Sequence, residues 1–131
     1  MSRMEIGETR SVPVRARCVW NDTNLSFETD GRYRIAASGT WVDFFLKHGP
    51  AGDPSPNFYL RWFEGLRRVK NANWFALVGA LDRDMESAFV IGAGCDYQAT
   101  SRGQLTCFAN DVKGFYWNNR GTVAVTVTRV A

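Results

Sequence analysis

Between Ala109 and Gly121 the chain reads Ala-Asn-Asp-Val-Lys-Gly-Phe-Tyr-Trp-Asn-Asn-Arg-Gly, its most concentrated set of hard oxygen donors. Asp111 supplies an anionic oxygen, and Asn118 and Asn119 supply neutral amide oxygens. Gly114 permits a bend that would turn a backbone carbonyl near Phe115 inward. Calcium takes six to eight oxygen ligands at about 2.3–2.6 Å and accepts this mixture of carboxylate, amide and carbonyl. Four of those ligands can come from this one loop, leaving the rest to a second loop and a ligand. Softer metals prefer sulfur or imidazole, which the segment lacks. The same residues also suit an ordinary turn ahead of a strand, because Asn and Gly tolerate left-handed backbone.

Other chemistries find less support. The three cysteines, Cys18, Cys95 and Cys107, are widely spaced with no C-x-x-C pair. They read as reduced thiols serving as small apolar side chains and give no zinc site. His48 is the only histidine. It lies in Lys-His-Gly-Pro, reads as a surface loop residue, and excludes any site that needs two imidazoles. A glycosidase requires two facing carboxyl groups about 5–9.5 Å apart. Asp111 with Asp43 or Asp53 is the only pair to nominate, and nothing in their spacing demands it. A non-catalytic protein is expected.

These residues must be held by a small domain. With 131 residues, 45% hydrophobic and 22% charged, the chain has a globular composition and room for one domain. The net charge of +3 is too small to imply nucleic acid without a concentrated patch. Arg61, Arg67, Arg68 and Lys70 form the densest run of cations, read either as a solvated face or as a patch for an anionic partner. The longest apolar run, Trp74 to Leu81, falls far short of the roughly 20 residues a membrane span needs. The first residues lack the apolar core of a signal peptide, so a cytoplasmic location is expected, with non-classical export left open.

Periodicity gives the elements. Residues 1–10 read as a flexible N-terminal arm and 11–131 as a single β-sandwich domain. Val12 to Trp20 alternates as a half-buried strand, with a turn at Asn21-Asp22-Thr23. Leu25 to Thr29 and Tyr33 to Trp41 make two more strands, joined by a hairpin turn at Asp30-Gly31. Residues 42–57, with three of the four prolines, read as a long loop. Phe58 to Val69 has partial helical spacing. Trp74 to Leu81 suits a buried strand, Ala88 to Gly92 a fifth strand, and Cys95 to Arg102 a polar loop. Gly103 to Ala109 is a sixth strand, and Thr122 to Val130 alternates most cleanly. Many strands, turn chemistry between them and at most one short helix predict an all-β, antiparallel sandwich. Trp41, Trp62 and Trp74 read as core.

The loop resembles the calcium and sugar loop of the bacterial calcium-dependent galactophilic lectins, Asn-Asp-Val-x-Gly-x-Tyr-x-Asn-Asn-x-Gly. Asn110, Asp111, Val112, Gly114, Tyr116, Asn118, Asn119 and Gly121 match it without a gap. A looser likeness runs from about Leu25 to the C-terminus, through Ala36 to Trp41, Gly49 to Asp53 and Phe75 to Leu81. The resemblance implies a jelly-roll, galactose-binding-domain-like sandwich. It implies calcium bound by Asp111, Asn118, Asn119 and the Phe115 carbonyl, with another carbonyl near Phe44. It implies a galactoside or other glycan completing the calcium shell, contacted by Asp111, Val112 and Asn118. Asp43, Asp53 and Asn57 are either further ligand contacts or solvated loop residues. The chain departs from the family where a His and a Gln would follow Gly-Pro-x-Gly-Asp: Pro54 to Phe58 contains neither. Phe115 stands in place of Thr. Trp117 sits where the family tolerates Gly and would either form a sugar platform or block the site. A calcium-dependent, lectin-like dimer or tetramer is expected, since weak sugar sites gain avidity by multiplication. An adaptor sandwich that has lost sugar binding is the alternative.

Overall fold

A computed structural model describes residues 2–43, 46–53 and 67–131. The strands are β1 (Ser2–Arg3), β2 (Thr9–Arg15), β3 (Asn21–Phe27), β4 (Arg32–Asp43), β5 (Leu46–His48), β6 (Leu77–Leu81), β7 (Phe89–Val90), β8 (Gly94–Gln98), β9 (Gly103–Ala109) and β10 (Asn119–Arg129). One sheet has the order β1-β3-β9-β6-β7. The other runs β2-β10-β4-β5, with β8 also paired to β4. Every pairing is antiparallel except the two-residue β1–β3 contact. This is the all-β sandwich that the strand periodicity predicted, with two short 3-10 turns, Met85–Ser87 and Lys113–Asn118, as its described helical pieces. No described helix is long and apolar enough to cross a membrane.

The core is what period-two alternation produces when two sheets face each other. Along β4 the odd-numbered Tyr33, Ile35 and Trp41 are buried, and along β10 Val123, Val125 and Val127 are buried. The facing sheet supplies Phe27, Leu77, Leu81, Leu105 and Cys107, all buried. β6 is buried at all five positions, as its unbroken apolar run requires.

Several sequence expectations are corrected. Asn21-Asp22-Thr23 starts β3, and the turn falls earlier, after Arg15. Polar turn-formers sit in a strand here because their side chains serve the backbone. Asn21 accepts from the Arg15 N–H at 2.8 Å and donates to the Arg15 and Cys107 carbonyls, while Thr23 donates to the Leu105 carbonyl. Asp30-Gly31 closes no hairpin, since β3 and β4 lie in different sheets. It is an arch across the core, with Phe27 stacked on Tyr33 at 3.7 Å between ring centroids. The expected polar loop from Cys95 contains β8, whose Cys95 and Tyr97 turn inward. His48 is buried at the end of β5, tilted against Phe75 at 5.3 Å, so it is no surface loop residue. Most of the expected helix from Phe58 to Val69 lies outside the described residues, as does Trp62, and residues 67–69 are not helical. The N-terminal segment contributes the edge strand β1 and the fully buried Met4.

Candidate functional site

The site forms where the end of β4 meets the start of β10. The antiparallel register pairs Asp43 with Asn119. Directly opposed residues on one face of a sheet carry their Cβ atoms about 4.5–5.5 Å apart. Both point into the sandwich, Asp43 8% and Asn119 0% exposed. The loop from Asn110 to Asn118 folds over them, its 3-10 turn Lys113–Asn118 feeding straight into β10. Gly121 makes the close approach of β10 to β4 possible. Its φ is +94°, and a Cβ there would sit 2.9 Å from the Trp41 Cα. Gly114, by contrast, is in open space, so the turn does not depend on it.

Asp111 is 2% exposed and held from both sides. Its Oδ1 accepts from the Val112 N–H at 2.7 Å, and its Oδ2 accepts from the Asn119 amide at 3.0 Å. Asn119 also donates to the Ala16 carbonyl at 3.1 Å. Both of these acceptors need an NH2 donor, so the amide orientation follows from chemistry and leaves Oδ1 as the remaining group. The Oδ1 atoms of Asn118 and Asn119 are both buried with no hydrogen-bond partner among the described residues.

Electrostatics make the arrangement costly. Burial, and then the charge of Asp111, raise the Asp43 carboxyl to about 7. Burial also raises Asp111, while hydrogen bonds from Val112 and Asn119 pull it back. No salt bridge among the described residues reaches either carboxylate. The two buried carboxylates and the two orphaned amide oxygens, on one loop and the paired ends of β4 and β10, are hard-oxygen donors that could hold a cation. All four groups are hard oxygens, which fits calcium and disfavours zinc or copper. Among the described residues no three His, Cys, Asp or Glu gather, so the set depends on the two amides.

A second tier fixes the loop. Tyr116 is buried, donates to the Ala109 carbonyl and accepts from Arg68 at 2.9 Å. Burial pushes its phenol up to about 12. Arg68 lies over Phe108 at 3.5 Å and near Trp20 at 4.6 Å, and donates to the Val19 carbonyl. Arg67 donates to the Ala72 and Lys70 carbonyls. Neither guanidinium belongs to a solvated basic face. Arg61 lies outside the described residues. Asn110, fully buried, accepts from the Val69 N–H and donates to the Val69, Ala72 and Asn73 carbonyls. The sequence alone does not mark Asn110, Tyr116 and Arg68 as loop anchors. Their signal was the unusual placement of a phenol and an amide within a loop otherwise full of turn chemistry.

The remaining expected residues divide. Val112 uses its N–H on Asp111, and its backbone bridges Arg67. Phe115 is half-exposed within the 3-10 turn, and Trp117 is 68% exposed beside it. Asp53 joins a neighbouring group: it bridges Trp74 and lies close enough to His48 to raise its pKa, although burial lowers it more. Trp41 and Trp74 are core, with the Trp41 indole donating to the Phe75 carbonyl at 3.1 Å. Phe44 and Asn57 lie outside the described residues.

No protein-family model matches this chain, and no curated protein matches it. Among solved structures, one described as the EclA N-terminal domain, a PllA-like lectin, matches it with a TM-score of 0.65. The match covers 91% of this chain and 94% of that chain, at 22% identity. The chain therefore shares its two-sheet β-sandwich fold with that lectin domain.

Proposed function

We propose that the protein is a non-catalytic carbohydrate-binding module that holds its sugar through a calcium ion. The observation that carries this reading is the pair of buried, unpartnered amide oxygens, Asn118 Oδ1 and Asn119 Oδ1, beside the buried carboxylate of Asp111. Those three side chains, with the Phe115 carbonyl and a carbonyl near Phe44, are the proposed cation ligands. Calcium, when bound, supplies open coordination positions for two vicinal hydroxyls of a sugar. Asp111 and Asn118 would orient those hydroxyls by charge-assisted hydrogen bonds. Exposed Trp117 supplies an aromatic face for the apolar side of a pyranose, in place of the missing His and Gln. A galactoside is the first sugar to test, and a homo-oligomer the form in which weak sites gain avidity.

A second reading is favoured by the same exposed aromatic. Trp117 beside Phe115 is also the kind of apolar surface that a protein partner covers, which would make the domain an adaptor. A glycan array with and without chelator separates the two. Calcium-dependent binding to galactosides or another sugar class supports the lectin reading, and silence across all sugars overturns it.

A further inference from the structure

We propose that Asp43 is itself a cation ligand through its side chain, giving the site two carboxylates. This inference rests on the calcium reading above and adds a charge to it. The loop motif contains one carboxylate, Asp111, and the resemblance offers only a backbone carbonyl from the segment after Trp41. Geometry gives Asp43 a different place. It continues the inward parity of Tyr33, Ile35 and Trp41 along β4, so its side chain turns into the sandwich and away from solvent. Its cross-strand partner is Asn119, whose amide donates to Asp111 while its buried oxygen has no partner.

A carboxylate there needs a reason. It sits opposite Asn119, which is itself hydrogen-bonded to the carboxylate of Asp111, with no salt bridge among the described residues, where an apolar side chain would pack at no electrostatic cost. A shared divalent cation removes the repulsion, since two carboxylates balance its charge. The number of charged ligands is also what tunes calcium affinity in oxygen-donor sites. The two carboxylates come from segments far apart in sequence and are linked through Asn119, which pairs with Asp43 across β4 and β10 and donates to Asp111. The consequence is a site that holds its ion before any sugar arrives and favours a trivalent lanthanide over calcium.

Calorimetric titration with calcium and with terbium, on the wild type, D43N and D111N, tests this. The expected result is wild-type binding in the absence of sugar, tighter for terbium, with D43N weakening calcium by at least about tenfold. D43E, which restores the charge, should recover part of that loss. D43N should melt in chelator no lower than the wild type, which separates lost ligation from lost folding. If D43N does not fold, terbium preference and sugar-free binding by the wild type carry the test. Calcium binding that D111N abolishes and D43N leaves unchanged overturns this inference alone. A wild type that binds neither ion overturns the calcium reading and this inference together.

Discussion

The metal-free protein should lose stability as pH rises through the range where Asp43 ionises, and D43N should remove that loss. The Asp43 carboxyl is raised from 3.8 to about 7 by burial and by Asp111. A raised folded-state pKa means that the folded form keeps a proton which the unfolded chain releases. The stability linked to that proton is fully present below about pH 4, declines between about 4 and 7, and is gone above. Lifting the carboxyl from 3.8 to about 7 corresponds to about 4 kcal/mol. Urea unfolding in chelator at pH 4.5, 6 and 7.5 measures it. The quantity to follow is the wild-type stability minus that of D43N, which cancels the titration of other groups. The difference should fall by a few kcal/mol over this range, with the largest share above pH 5, and saturating calcium should flatten it. A difference that is constant from pH 4.5 to 7.5 would refute the claim that Asp43 is buried against Asp111.

Three further outcomes are expected. D111A should abolish any calcium-dependent rise in melting temperature, since it deletes the loop's only carboxylate, and thermal scans with and without calcium check it. Y116F removes the hydroxyl that joins Arg68 to the Ala109 carbonyl, and should cost about 1–3 kcal/mol in urea unfolding with a weaker calcium titration. G121A forces a Cβ into a backbone at φ +94° and within 2.9 Å of the Trp41 Cα, so it should destabilise by about 2 kcal/mol or more, read in the same assay.

Much of the sandwich was legible because alternation is a one-dimensional signal. β9 runs from Gly103 to Ala109 as the pattern predicts, and the inward positions of β4 and β10 fall where their apolar residues fall. Pairing partners leave no such signal. Asp30-Gly31 has the residues of a hairpin turn, and only tertiary stacking of Phe27 on Tyr33 makes it an arch. Asn21 looks like a turn-former until its amide is seen serving Arg15 and Cys107. The loop donors were visible from residue type and spacing, whereas Asp43 was read within a long loop. Its parity with Trp41 marks it as inward, but a charge suggests solvent, so the sequence leaves ligand contact and solvated loop residue both open. Arg68 misled for the same reason, because a guanidinium covered by aromatic rings looks in sequence like any surface cation.

The pairing of β4 with β10 also decides how the domain can be displayed. β10 begins at Asn119 in the site and ends at Arg129, about 33 Å away at roughly 3.3 Å per residue. There Arg129 exchanges backbone hydrogen bonds with Gly7 and Glu8, and Ala131 meets Arg32 at the start of β4. Both ends of the described chain thus gather at the pole opposite Asp43, Asp111 and Asn119. Anything joined at residue 2 or residue 131 would hang from that pole, with the candidate site at the far end. Copies strung on a tether or fixed to a surface would all present that end in one direction. If the site binds a sugar, such an array would gain avidity through its attachment geometry, with no new contact made at the site itself.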